Sequence, residues 1–146
     1  MPKEEKRLSI HNYFMDIAVT VSRRATCDRK HVGCILVKDK RIIATGYNGS
    51  MTRARHCDEI GHLMEDGHCV RTVHAEINAL AQCAKYGVSC DNSYAYCNTF
   101  PCWDCFKALV NAGVKCIYYK DSYAAKAKDN VIRFSKELNI PVVKIT

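Results

Sequence analysis

The chain has 146 residues, 48% hydrophobic and 25% charged, with a formal net charge of +7 and ten cysteines. That composition fits one globular domain over residues 1–146 with enough chain to bury a core, and it contains no apolar run long enough to span a membrane. The opening Met1-Pro2-Lys3-Glu4-Glu5 is not a signal peptide, so the cysteines read as metal ligands and buried thiols of a cytoplasmic protein rather than as disulfides.

Tyr13, Phe14, Ile17, Ala18 and Val21 recur at helical spacing, which predicts an amphipathic helix over 9–24. The apolar run 32–37 predicts a buried strand, and Asp39-Lys40 turns the chain back into a second strand at 41–45. Residues 49–71 show neither period and are crowded with His, Cys and charge; a loop of that length is functional or held by something. A helix follows over 74–86, with Ile77, Leu80, Ala81 and Ala84 on its buried side and Gly87 as its stop. The remainder reads as a strand at 93–98, a helix at 102–111, a strand at 115–119, a helix at 124–138 and a short strand at 141–145. A hairpin followed by alternating helices and strands predicts an α/β protein: a mixed central sheet between helical layers, in a three-layer α/β/α arrangement. Right-handed crossovers bring the starts of the second and third helices together.

Those two helix starts carry His74-Ala75-Glu76 and Pro101-Cys102-Trp103-Asp104-Cys105. One His and two Cys supply three zinc ligands and leave a fourth position for water, whereas a closed structural site uses four. Glu76 lies two residues past the histidine, within reach of that water without binding the metal. Zinc acidifies its water, and a carboxylate beside it serves as general base and then general acid. Pro101 suits the entry to a helix because it has no amide hydrogen to leave unpaired. This order of residues is the signature of zinc nucleobase deaminases.

A second donor set lies in and before the long loop. Cys27, Cys57, His62 and Cys69, with His68 as the substitute for His62, would tie the loop to the helix–strand junction through a closed, structural zinc. The other reading is a set of buried thiols and surface imidazoles. The positive charge is scattered over Arg23-Arg24, Arg29-Lys30 and residues 53–55, which suits a small anionic ligand better than nucleic acid.

With these residues in hand, the chain resembles the deoxycytidylate (dCMP) deaminase family. The resemblance rests on Ala25-Thr26-Cys27, Val32-Gly33, Gly46-Tyr47-Asn48-Gly49, Gly67-His68-Cys69-Val70-Arg71-Thr72, His74-Ala75-Glu76-Ile77-Asn78-Ala79 and the Pro-Cys-x-x-Cys turn. It implies a cytidine deaminase-like fold and hydrolysis of dCMP to dUMP for thymidylate synthesis. It also implies a homohexamer activated by dCTP with Mg²⁺ and inhibited by dTTP. The catalytic zinc would rest on His74, Cys102 and Cys105, with Glu76 as proton shuttle. Asn48 would hold the sugar, Ala75 would lie against the base and Tyr123 beside the substrate. Lys85 falls where relatives place a basic residue toward the phosphate, the alternative being a solvated helix lysine. Phe100 either packs on the base or belongs to the core. Effector contacts would come from Asn48, Gly49, Ser50, Arg53, Arg55 and Asn78; Asn78 can equally brace the turn at 46–49. Arg71 and Arg29 meet phosphates at a subunit boundary in one reading and are surface charges in the other.

Two departures stand out. Relatives commonly continue Gly49-Ser50 with Pro and Gly where this chain has Met51-Thr52-Arg53-Ala54-Arg55, and they carry Thr where it has Asn98. The first leaves the effector response open. Rival readings are a tRNA adenosine deaminase, which shares the zinc motif, and a non-catalytic zinc protein of the competence type, which has no use for Glu76.

Overall fold

A computed structural model describes residues 6–122 and 128–146. In chain order these form α1 (Ile10–Ser22), β1 (Gly33–Lys38), β2 (Arg41–Tyr47), β3 (Gly49–Ser50), α2 (Cys57–Ile60), β4 (Met64–Glu65), β5 (His68–Cys69), β6 (Thr72–Val73), α3 (Ala75–Tyr86), β7 (Tyr94–Thr99), α4 (Trp103–Asn111), β8 (Cys116–Asp121), α5 (Lys128–Leu138) and β9 (Val142–Lys144). A five-stranded sheet has the order β2-β1-β7-β8-β9. Its first two pairings are antiparallel and its last two parallel. No described helix is long and apolar enough to cross a membrane.

The pleat of β1 explains the layers. Ile35 and Val37 face α1, where they pack with Phe14, Met15, Ala18 and Tyr96. Cys34 and Leu36 point the other way, into a larger core with Ala75 and Ala79 of α3, Phe106 and Leu109 of α4 and Val131 of α5. The expected α/β/α layering with a mixed sheet is therefore the observed one. Ser9 caps α1 by accepting a hydrogen bond from the Asn12 N–H at 3.1 Å. Two glycines let helices approach the hairpin closely. A Cβ on Gly33 would strike the α1 backbone at Ala18 and Ser22, and one on Gly46 would strike α3 at Ala75 and Ala79. The second contact fixes where α3 begins.

Several expected boundaries shift. The first helix ends at Ser22, and residues 123–127, with the expected start of the last helix, lie outside the described residues. Pro101 precedes the N-cap Cys102, so it shapes the approach to α4 rather than occupying its first turn. The loop 49–71 is not structureless. It holds α2 and a hairpin of β4 with β5, and its first strand, β3, pairs with β6 just beyond it. The hairpin turns on Asp66-Gly67, both with positive φ (49° and 78°). An Asp-Gly pair at such a turn is a strong local hairpin signal that the helix and strand periods do not register.

Candidate active site and metal centres

The register of the central strands brings three chain segments to one end of the sheet. Cys34 of β1 pairs with Cys97 of β7, so the segment entering β1 lies between the exit of β7 on one side and the exit of β2 on the other. From the β7 exit the chain runs through Phe100 and Pro101 into α4. His74 caps α3 and Cys102 caps α4, and these two helices pack on one another. The residues read as the first metal set therefore meet. His74 Nδ1 lies 3.2 Å from Cys105 Sγ and 3.5 Å from Cys102 Sγ. All three donor atoms fall within 4.8 Å of one another.

Their electrostatics suit a cation. Hydrogen bonding with Cys105, and then with His74, holds the Cys102 thiol down at about 4 despite burial, so it is a thiolate at neutral pH. The Cys105 thiol moves the opposite way because its S–H donates to the Cys102 thiolate and is buried. The Cys102 thiolate raises the His74 imidazole. Glu76, only 4% exposed in the first turn of α3, is raised from the ordinary carboxylate range chiefly by burial. The donor set, two cysteines and an imidazole nitrogen, is that of an open zinc site.

The second set meets as well. The Sγ atoms of Cys27, Cys57 and Cys69 and a ring nitrogen of His62 lie within 4.8 Å of one another. Cys27 Sγ is 3.4 Å from His62 Nδ1, and Cys57 Sγ is 3.6 Å from Cys69 Sγ. On its far side His62 Nε2 meets Asp28 Oδ1 at 2.9 Å, the carboxylate that orients a ligating imidazole. His68 is exposed in β5 and outside the cluster. Burial pushes the Cys57 thiol up to about 12. Cys69, although burial opposes its thiolate, is brought to about 6 by backbone donors at Arg71 and Leu63. Four donors at these distances suit a closed tetrahedral zinc. Arg29 donates to the Gly67 carbonyl at 3.3 Å and Arg71 Nε to the Gly61 carbonyl at 3.0 Å, so both brace this loop.

The remaining expected contacts divide. Ala75 is fully buried at the start of α3, beside the catalytic set. Asn48 is 7% exposed, and its side chain brackets the segment before β1: Oδ1 accepts from the Val32 N–H at 2.8 Å and Nδ2 donates to the Lys30 carbonyl at 2.7 Å. Phe100 lies in the core, edge-on to Tyr119 at 5.0 Å. Lys85 is a correction. It sits in the last turn of α3 with its ammonium 5.5 Å from the Tyr86 ring. At 1.5 Å per residue that is about 16 Å along the helix from His74, so Lys85 lies at the end of α3 opposite the metal set. Tyr123 lies outside the described residues.

Of the expected effector contacts, Gly49, Ser50, Arg53 and Asn78 line a cleft of about 310 Å³. The Ser50 hydroxyl there is buried with no hydrogen-bond partner among the described residues. Asn78 Nδ2 donates to the Tyr47 carbonyl at 2.8 Å, bracing the turn. Arg55 is exposed and does not line the cleft.

Two residues escape the sequence reading. His56 lines the same cleft, with Nδ1 3.0 Å from Thr26 Oγ1 and 3.3 Å from the Ser50 N–H. Lys30 is half-buried, and its charge acts on His74 and Glu76. Burial lowers its ammonium to about 8, against the pull of Glu76, Cys102 and Cys105. Nothing in an Arg-Lys pair marks which of the two turns inward.

Comparison with known proteins agrees with this geometry. Residues 8–121 match the family described as the cytidine and deoxycytidylate deaminase zinc-binding region. The chain is 46% identical over 118 residues to ComE operon protein 2 of Bacillus subtilis (strain 168), covering 81% of this chain and 62% of that protein. It is 36% identical over 125 residues to deoxycytidylate deaminase of Schizosaccharomyces pombe, covering 80% of this chain and 38% of that one. It thus spans less than two thirds of the length of both relatives. The crystal structure of dCMP deaminase from the cyanophage S-TIM5 in complex with dCMP and dUMP superposes with a TM-score of 0.81 at 33% identity, over 97% of this chain and 100% of that one.

Proposed function

The chain belongs to the cytidine and deoxycytidylate deaminase family, and we propose that it is a zinc-dependent hydrolase converting dCMP and water to dUMP and ammonia. The observation that carries this reading is the convergence of His74, Cys102 and Cys105 beside the buried carboxylate of Glu76. Zinc bound by those three residues supplies the Lewis acidity that makes water nucleophilic near neutral pH. Glu76 does the proton work. Its carboxylate takes a proton from the attacking water, gives it to the pyrimidine ring nitrogen next to the amino-bearing carbon, and then assists departure of the amino group as ammonia. Burial favours this role because it raises the proton affinity of the carboxylate.

A second, structural zinc on Cys27, Cys57, His62 and Cys69 completes the metal complement. The cleft around Gly49, Ser50, Arg53 and Asn78 is the candidate site for dCTP with Mg²⁺ as activator and dTTP as inhibitor, in a cytoplasmic homohexamer. Its support is the orphaned Ser50 hydroxyl beside a cationic Arg53.

The test follows the ultraviolet absorbance of dCMP with zinc-loaded protein, with and without dCTP and Mg²⁺. Turnover of dCMP, with deoxycytidine reacting far more slowly, is the expected result. Glu76→Gln should lower kcat by about 10²–10⁴-fold or more while zinc stays bound. Turnover that survives this substitution refutes the mechanism, and absence of turnover in the unaltered protein refutes the function.

A further inference from the structure

We propose that Lys30 receives the 5′-phosphate of the substrate and so makes the enzyme select a nucleotide over a nucleoside. The proposal rests on the reading of the site as a dCMP deaminase and deepens it by naming the residue that reads the phosphate.

Placement comes first. The segment 30–32 enters β1 at the sheet end where β7 exits toward Cys102, and it is clamped there from both neighbours. Asn48 takes the Lys30 carbonyl at 2.7 Å and the Val32 N–H at 2.8 Å. Asn98, on β7, donates to the His31 carbonyl at 2.9 Å and accepts from the Gly33 N–H at 2.9 Å. Upstream, Cys27 is a corner of the second donor cluster, and Asp28 grips His62 at 2.9 Å. Lys30 therefore projects from a backbone fixed on both sides, and its charge acts on Glu76, Cys102 and Cys105.

Charge supplies the second argument. A phosphomonoester carries about −1.5 to −2 charges at neutral pH. Zinc with two thiolates and a neutral imidazole is formally uncharged, so Glu76 alone would make the site repel that anion. A half-buried lysine cancels this charge, and an ammonium is an established kind of phosphate receptor. Lys85 lies at the far end of α3, and Arg29 and Arg71 donate to the carbonyls of Gly67 and Gly61 on the metal loop.

The experiment compares kcat/KM for dCMP and for deoxycytidine in the unaltered protein, Lys30→Met and Lys30→Arg, with zinc content measured for each. Lys30→Met should lose about ten- to hundredfold on dCMP, mostly in KM, and less than about threefold on deoxycytidine, with Lys30→Arg recovering part of the loss. Equal losses on both substrates, or a loss confined to kcat with a shifted pH profile, overturn the proposal, because Lys30 would then act through Glu76. Undiminished dCMP turnover overturns it too. A second measurement avoids substitution: inorganic phosphate should compete with dCMP and leave deoxycytidine turnover unaffected in the unaltered protein, and equal inhibition of both refutes the assignment. If the unaltered, zinc-loaded protein turns over neither substrate, the deaminase reading itself fails; if only the Lys30 variants behave as wild type, this assignment alone fails.

Discussion

Replacing Cys57 by serine removes one donor of the second cluster and leaves the catalytic set untouched. Within residues 51–71 Cys57 is the one residue fully buried, so this segment has no apolar core of its own to hold it. It is tied by the β3–β6 and β4–β5 pairings, by hydrogen bonds from Arg29 and Arg71, and, as proposed, by a metal in the cluster. Treated as a cross-link, a metal joining Cys27 to His62 closes a loop across 35 residues, and one joining Cys57 to Cys69 closes 12. Loop-closure entropy assigns these about 4 and about 3 kcal/mol. The loops overlap, so a zinc held there would contribute roughly 4–6 kcal/mol, a large part of the stability of a domain this size. The expected outcome for Cys57→Ser is a fall from two bound zinc equivalents to one and a midpoint lower by roughly 10–15 °C in calorimetry. A midpoint within about 3 °C of wild type, with one zinc lost, would show that the order of the loop does not rest on the metal. One equivalent in the unaltered protein would refute the cluster as a zinc site.

Gly46→Ala places a methyl group against the α3 backbone at Ala75 and Ala79. Because backbone cannot step aside as a flexible side chain can, urea unfolding should show a loss of about 2 kcal/mol or more, and a change under about 0.5 would refute that close approach. Tyr96→Phe tests the opposite face of the sheet. Burial raises the Tyr96 phenol from 10 to about 12, so its stabilising contribution is intact below pH 10 and is lost as pH rises through 12. The phenylalanine variant lacks the hydrogen bond to His11, 2.7 Å in the wild type, and should be less stable by about 1 kcal/mol at pH 8. It should then gain on wild type by roughly 2–3 kcal/mol between pH 9 and 12 in chemical unfolding. A stability difference independent of pH would contradict a buried phenol.

The sequence by itself determined what depends on local period and on chemical type. The apolar rhythm of 32–37 and 74–86 fixed strand and helix, and their alternation fixed the layers. His74, Cys102 and Cys105 announced one donor set with Glu76 beside it, and Cys27, Cys57, Cys69 and either His62 or His68 a second, because thiols and imidazoles are the ligands zinc prefers. Only the tertiary structure decided direction. Whether a lysine on an amphipathic helix or loop faces a site is set by the phase of α3 and by the register Cys34↔Cys97. Charge type is blind to both, so it cannot tell that Lys85 stands at the far end of α3 while Lys30 is half-buried and coupled to Glu76. The same holds for Asn48, Asn78 and Phe100. An amide or an aromatic ring looks equally suited to a ligand or to a neighbouring backbone; here Asn48 and Asn78 brace backbone, Asn78 from the wall of the cleft, and Phe100 packs in the core. Long-range packing makes that choice, since the partners of a side chain are the groups the fold brings beside it.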